Sequence, residues 1–256
     1  MRNIFLVVLL FVFATTFAYG KTYTIELMIG DVVVKNGKNK INVDIGYVIK
    51  KGDVITTGKD SECYISVDNG KGTIKIEEKS SIAFEEIDKV TSSGTIDKVN
   101  LKGNIVSSVE GVYSENAMLG VKTRTAFATV RGTEFVMEVG KDDTTTSLYV
   151  LEGKVAIVPL VALSEEELIS RSIFVNEGQK IEISEIDVIN ATSFITDEEK
   201  FEGFMTKKKV SLIASERERF KKRINMLKEI QQKRKEELEK KKKEYLKDPS
   251  KLFEDD

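Results

Sequence analysis

Apolar and polar residues alternate across most of the chain between residues 22 and 190, and this period of two constrains the fold more than any other feature. The runs are rich in Val, Ile, Tyr and Thr and are bounded by Gly, Asn, Asp or Lys, as strands are. The clearest runs span residues 23–27, 64–67, 73–76, 135–139, 147–151 and 180–183. We therefore predict that residues 22–190 form an all-β domain, which is large enough to bury a core of its own.

A glycine followed by a polar residue and then a β-branched residue recurs along this region. The copies begin at Gly30, Gly52, Gly103 and Gly153, with a looser copy at Gly178, so the intervals are close to multiples of about 25 residues. Glycine adopts a positive φ without strain and so permits a tight turn before a strand. A turn that returns at a fixed interval favours the stacked coils of a β-solenoid or roll, and a β-sandwich with similar turns is the alternative.

The composition excludes most catalytic and metal-binding chemistry. The chain has no His and a single Cys, Cys63. Ser-His-Asp and Cys-His nucleophile systems, His-ligated metals and an internal disulfide are therefore excluded. Cys63 lies in an apolar run and is predicted to be a buried small side chain. A carboxylate enzyme that acts on an envelope glycan stays open as an alternative, although adjacent carboxylates such as Glu85 and Glu86 point to opposite faces of a strand. We predict no catalytic residue, no cofactor and no metal, and a protein that is not an enzyme.

The N-terminal segment, residues 1–20, is predicted to be a signal peptide. Arg2 supplies the positive charge, an apolar run follows, and Ala18 and Gly20 place small residues at −3 and −1 of a cleavage site before Lys21. We expect a periplasmic or envelope-associated protein with no more than peripheral membrane contact. The alternative is an uncleaved anchor in the inner membrane.

The C-terminal segment has a different composition. Residues 204–248 contain no Gly or Pro and are rich in helix-forming residues, so we predict a basic helix within residues 196–248 and an acidic tail over 249–256. Capping-box patterns at Thr196 and at Ser215 leave its start open. Residues 207–247 carry 17 Lys+Arg and 7 Asp+Glu, a net charge of +10, in a chain whose net charge is −2. The remainder therefore carries −12. The overall charge of −2 argues against a chain-wide nucleic-acid binder.

Apolar residues recur along this helix at intervals of three, four, seven or eight residues and mark it as a candidate interaction helix. They are Phe220, Ile224, Leu227, Ile230 and Leu238. Three interpretations compete: the helix docks on the β-domain, it forms a coiled coil with a second copy or another protein, or its basic face binds an anionic surface.

Several motifs follow one another along the β-region, and the most distinctive is the block ATVRGTEFV at 128–136. Their main positions are Gly52, Asp53, Thr56, Gly70, Arg131, Gly132, Thr133, Phe135, Gly153 and Gly178. Taken in this order, over roughly residues 29–185, the motifs resemble the periplasmic domain of the FecR family.

The resemblance implies a non-catalytic envelope protein that relays a signal through protein contacts, often to a regulator of a sigma factor. The alternative function is an anchoring protein whose basic helix holds an anionic envelope surface. We expect the motif residues to be mainly structural. Gly132 would form a bend of positive φ, Phe135 would enter the core, and Arg131 would pair with a buried acceptor.

Overall fold

The computed structural model describes residues 21–247 apart from residues 93, 110, 115, 209, 214 and 215, and it leaves out many side chains beyond residue 230. The predicted cleavage residues Ala18 and Gly20, the acidic tail and the capping candidate Ser215 lie outside the described residues. Lys21 is the first residue described.

Most of the described chain forms two β-sheets. Sheet A has eight strands, in the order β1 (Tyr23–Ile29), β5 (Glu62–Val67), β6 (Gly72–Ile76), β9 (Asn104–Ser108), β12 (Glu134–Val139), β13 (Thr145–Glu152), β16 (Gln179–Ser184) and β17 (Ser211–Leu212). Sheet B has nine, in the order β15 (Ile173–Asn176), β14 (Lys154–Pro159), β11 (Ala126–Val130), β10 (Ala117–Lys122), β8 (Gly94–Lys102), β7 (Ser81–Thr91), β4 (Asp53–Thr57), β2 (Val32–Asn36) and β3 (Asn39–Ile41). The helices are α1 (Glu165–Ser170), α2 (Glu185–Ser193), α3 (Glu198–Lys207) and α4 (Arg217–Lys247).

The two sheets face each other across the main core, as the rings of Tyr23 in sheet A and Phe84 in sheet B show, with centroids 5.1 Å apart. The prediction of a mainly β fold is confirmed. The preferred solenoid is wrong, because stacked coils would pair in parallel, whereas β8 with β10 is the only parallel pair among the described strands. The chain instead lays down short antiparallel segments alternately in the two sheets, which is the sandwich alternative.

The glycine repeat marks the corners where the chain passes from one sheet to the other. Gly30, Gly103, Gly153 and Gly178 each have a positive φ, between 73° and 81°, and each is followed within two residues by a strand of the opposite sheet. Gly52, with φ of 90°, precedes β4 without a change of sheet. The glycine repeat therefore does mark regular turns, but these turns connect strands of two sheets instead of successive coils of a solenoid.

The corners at Gly30 and Gly103 each contain the same kind of hydrogen bond. The residue after the glycine donates its backbone N–H to a serine at a neighbouring corner: Asp31 to Ser61 Oγ at 2.8 Å, and Asn104 to Ser80 Oγ at 2.8 Å. The serine lies directly against the glycine, and a Cβ on Gly103 would be 2.4 Å from Ser80 Oγ. The close approach and the positive φ together require glycine there.

Helices α1, α2 and α3 cover the outer face of sheet B. Ser164 caps α1 in a reciprocal capping box with Glu167. The second apolar cluster joins this face to the helices and contains Ile96, Met118, Phe127, Val158, Val161, Leu168, Ala191, Phe201 and Met205.

The segment over 196–248 is not one helix. Asp197 caps α3, which ends at Lys207, β17 then pairs with β16, and α4 begins at Arg217. Residues beyond 190 therefore contribute to the apolar clusters on the outer faces of both sheets. The β-region and the C-terminal segment pack as one unit, because each sheet has an apolar outer face that its own strands cannot cover.

Candidate interaction surface

The first half of α4 lies on the outer face of sheet A. Phe220, Ile224 and Leu227, called here the docked line, are buried, and Phe220 packs on the Tyr149 ring with centroids 4.5 Å apart. The strand residues beneath are Tyr64, Val106, Val136 and Leu151. Ile230 is partly buried in the same cluster, whereas the side chain of Leu238 lies outside the described part. Of the three interpretations, docking on the β-domain describes this half of the helix.

Ion pairs flank the docked line on both sides. Arg223 donates to Glu77 Oε2 at 2.6 Å and to Glu138 Oε1 at 3.0 Å. On the other side, Lys228 Nζ lies 2.5 Å from Glu134 Oε1. These carboxylates belong to the acidic body, so the opposite charges of helix and body, which are visible in the sequence, are partly neutralised where the two meet.

The contacts of α4 advance across sheet A as the helix proceeds. Glu216 accepts from Lys180 of β16, Phe220 contacts Tyr149 of β13, and Arg223 bridges β12 and the end of β6. After Ile230, only β5 and β1 remain ahead, a width of about 10 Å. The remaining 17 helical residues, 231–247, extend about 25 Å at 1.5 Å per residue. The distal half of α4 is therefore longer than the width of sheet A that remains ahead of Ile230.

The distinctive block at 128–136 forms β11, a corner and the start of β12. Phe135 is buried in the main core, as expected. Gly132 lies in the bend, but its φ is not positive, and Arg131 is exposed instead of being paired with a buried acceptor. Both expectations were wrong because three residues make this corner, so none needs the left-handed conformation. Thr133 is buried, and its hydroxyl has no hydrogen-bond partner among the described residues.

Asp53 organises the loop that precedes β4. Its buried carboxylate accepts from Asn36 Nδ2 at 2.8 Å, from the Tyr47 hydroxyl at 2.9 Å and from the Lys50 backbone N–H at 2.8 Å. These contacts fix the residues on either side of Gly52. The other two motif residues of this region have local roles: Thr56 shares a hydrogen bond with Ser81, and Gly70, with φ of 88°, closes the β5–β6 turn.

A buried polar cluster joins the two sheets, and none of its residues belongs to the sequence motifs. Asp97 of β8 is fully buried and accepts from the Tyr23 hydroxyl at 2.7 Å and from the Asp88 N–H at 2.6 Å. The Tyr23 and Tyr113 hydroxyls are 2.6 Å apart, and Lys21 Nζ lies 3.7 Å from Asp97. Burial raises the pKa of Asp97, against the opposing effect of these donors and of the Lys21 charge. The pattern around Asp97 is an ordinary alternating strand, so only the fold reveals the cluster.

Cys63, the single cysteine of the chain, is buried. Burial raises the pKa of Cys63 to about 12, so the thiol is inert, in agreement with the prediction. No group of three or more Asp, Glu, Cys or His within residues 21–247, as far as they are described, is arranged to hold a metal ion. Over the same residues, each helix is too short or too polar to cross a bilayer.

One end of the sandwich carries a concentration of exposed apolar side chains. Phe174 of β15, Ile186 and Ile189 of α2, and Leu212 of β17 are 57%, 66%, 62% and 73% exposed. These elements flank β16 at the edge where the chain completes both sheets. Residues 173–193 include one Lys and four Asp or Glu, so the segment carries −3. Three of these carboxylates pair with cations of other segments: Glu177 with Arg217, Glu185 with Arg124 and Asp187 with Lys208. We call this surface the acidic end.

Comparison with known protein families identifies the middle of the chain. Residues 53–156 match the family model described as FecR protein. This segment is a FecR domain. The FecR domain begins at the first residue of β4 and ends within β14, so β1–β3, β15–β17 and all four described helices lie outside it. The recognition made from the motifs is thereby confirmed, over a shorter range than the motifs suggested.

The solved structures similar to the chain include two crystal structures of a candidate anti-sigma factor from Parabacteroides distasonis ATCC 8503. They are 16% and 15% identical to it over 56% of its length, with TM-scores of 0.41 and 0.40. The chain spans 65% and 64% of the length of those two proteins. A comparison with curated proteins gave no match.

Proposed function

We propose that the chain is an exported, non-enzymatic protein of a bacterial envelope that relays a signal by binding a protein partner. The observation that carries this proposal is the FecR domain at residues 53–156. Its polar motif groups either hold loops in place, as Asp53 does, or lie exposed, as Arg131 does. A domain that uses its motifs to build the scaffold is expected to act through its surface.

The surface available to a partner is limited by the chain's own helices. Helices α1–α3 cover the outer face of sheet B, and the first half of α4 covers that of sheet A. The acidic end and the distal half of α4 are left for recognition. Exposed apolar residues within a polar surround are typical of protein-binding sites.

In-cell crosslinking tests the proposal. A photoreactive amino acid is placed at Ile189 in the acidic end and, as a control, at Val90, which is 79% exposed at the tip of the β7–β8 hairpin. We expect a discrete adduct with a different envelope protein from Ile189 and none from Val90. We also expect deletion of the gene to change a defined set of transcripts. Adducts with lipid or glycan alone would contradict the proposal and support the anchoring alternative.

A further inference from the structure

Residues 35–51 differ in charge from the rest of the β-region. They include five Lys and one Asp, a net charge of +4, whereas the chain outside residues 207–247 carries −12. They form the end of β2, the strand β3 and the loop that leads to β4, and they precede the FecR domain. β3 is the edge strand of sheet B, and the loop runs along β1, the edge strand of sheet A. We call this surface the basic edge.

Most of the charge of the basic edge is not neutralised by the fold. Lys51 pairs with Glu86 at 2.6 Å. The other four lysines are exposed and have no carboxylate within ion-pair distance among the described residues; they are Lys35, Lys38, Lys40 and Lys50. Lys35 and Lys40 lie directly opposite each other in the β2–β3 ladder, where like charges are unfavourable. An external anion at this edge would relieve that repulsion.

Two apolar side chains are exposed in the loop of the basic edge. Ile45 is 53% exposed and Val48 is 50% exposed. Ile45 lies at the tip of a tight turn, in which Tyr47 donates its backbone N–H to the carbonyl oxygen of Asp44 at 3.1 Å. Gly46, with φ of 98°, completes the turn. The turn therefore presents an isoleucine to solvent between lysines that precede and follow it in the chain.

Backbone hydrogen bonds to β1 fix the position of this loop. Gly46 donates to the carbonyl oxygen of Ile25 at 2.8 Å, and Ile25 donates to that of Tyr47 at 2.9 Å. Val48 then pairs with Thr24 in an antiparallel bridge. Apolar side chains that the backbone holds in water, instead of turning them into the core, are typical of a binding surface.

The bridge to Thr24 also places the basic edge close to the N-terminal segment. The apolar run of that segment ends at Ala14, ten residues before Thr24. Ten residues span at most about 36 Å. A bilayer that holds the apolar run, before processing or as an anchor, is therefore within reach of the basic edge.

We propose that the basic edge binds the anionic phospholipid headgroups of a membrane, with Ile45 and Val48 entering the interface. Lysine suits this role because its compact charge lies on a flexible stem, and each lysine near an anionic leaflet strengthens binding about fivefold. The apolar side chains add the second attachment that stable peripheral binding needs. This contact goes beyond the proposed function, and it leaves the acidic end, at the opposite end of both sheets, free for a protein.

Sedimentation with lipid vesicles tests the contact. The chain from Lys21 onward contains every described element, and its use prevents the N-terminal apolar run from binding lipid by itself. We expect binding to vesicles of equal parts phosphatidylglycerol and phosphatidylcholine, weaker binding as salt rises, and none to phosphatidylcholine alone. The double variant Lys38→Gln, Lys40→Gln should weaken binding about twentyfold.

A matched control separates the basic edge from the basic helix. The variant Lys221→Gln, Lys222→Gln removes the same charge at exposed positions of α4 and should leave vesicle binding unchanged. All four lysines are exposed, so both variants should keep the urea midpoint of the parent, which excludes unfolding as the cause of a loss. An equal loss of binding in the two variants would overturn the assignment to the basic edge.

A tryptophan reporter tests the entry of the apolar tip, since the chain contains no Trp. The emission of the Ile45→Trp variant should shift to shorter wavelength when the anionic vesicles are added, because the ring leaves water. The control variant Ile189→Trp, at a side chain 62% exposed in the acidic end, should show no shift.

Three further results would each overturn the membrane contact. They are no binding to the anionic vesicles, an unshifted emission of the Ile45→Trp variant, and binding to a soluble anionic polysaccharide without binding to vesicles. None of these results bears on a protein adduct formed from Ile189 in cells, so the proposed function is judged separately.

Discussion

Replacing Gly103 by Ala tests the account of the sandwich corners. Gly103 is the single residue between β8 and β9, and its φ is 81°. A methyl group there would lie 2.4 Å from Ser80 Oγ and 2.8 Å from Ser80 Cα. The hydroxyl could rotate away, but the backbone atom belongs to a neighbouring corner and cannot move without disturbing it.

The expected loss is the sum of two effects. A left-handed conformation costs an alanine roughly 1–2 kcal/mol. Forcing a methyl group into a packed site adds about 1–3 kcal/mol. Gly178 separates the two, because its φ is 73° and a Cβ there would meet nothing within 4 Å. Gly178→Ala should therefore lose only the conformational part, roughly 1–2 kcal/mol, and Gly103→Ala the sum of both, about 2–5 kcal/mol.

Urea unfolding of the two variants and the parent, followed by circular dichroism, measures both losses when the m-values agree. The Gly103 variant should have the lower midpoint by a clear margin. Equal midpoints for the two variants would refute the reasoning, because the close approach to Ser80 would then contribute nothing. A Gly178 variant as stable as the parent would show that the corners tolerate alanine.

Four further outcomes are expected. Arg223→Ala should destabilise the protein by about 1–3 kcal/mol in the same unfolding assay, because it removes both hydrogen-bonded contacts of Arg223, those with Glu77 and with Glu138. Arg219→Ala removes only a longer contact with Glu138, 3.9 Å from a side chain that is 61% exposed, and should change the stability by less than about 0.5 kcal/mol. Folding raises the pKa of Asp97, so the folded protein binds the Asp97 proton more tightly than the unfolded chain does. Proton binding at Asp97 therefore stabilises the fold increasingly as pH falls from neutral towards about 4, and Asp97→Asn should remove this pH dependence. The measurement is the difference in urea midpoint between variant and parent at several pH values. A chain that ends at residue 190 should bind a dye for exposed apolar surface and aggregate, because both outer faces lose their cover, and a monomer as stable as the parent would contradict this. N-terminal sequencing of the exported protein should begin at Lys21, and recovery of Met1 in the membrane fraction would show an anchor instead.

The corner glycines show that the sequence predicted the turns but not the pairing of the strands that follow them. Their spacing predicted tight turns of positive φ, and five of them have it. The same spacing suggested a solenoid, because a turn signal does not say which strands pair after the turn. Gly132 was given the same conformation by analogy, but its corner has three residues and needs no left-handed one.

For helix α4, likewise, the sequence predicted the local structure but not the contacts. Its composition predicted a basic helix with an apolar stripe, and its stripe left docking, self-association and anion binding open. Docking was decided by the outer face of sheet A, where residues from β5, β9, β12 and β13 come together. Those residues are far apart in the chain, so no local pattern reveals that they form one apolar strip with carboxylates beside it.

The sequence by itself determined the local states of this protein: strands from the period of two, turns from glycine, the short capped helix at Ser164, and the inert Cys63. These follow from interactions among residues near one another in the chain. The tertiary structure alone decided the pairing into two sheets, the burial of Asp97 beside Tyr23 and Lys21, and the place where α4 lies. These depend on contacts between distant segments, whose free energy arises only when the whole sandwich has closed and water has left its faces.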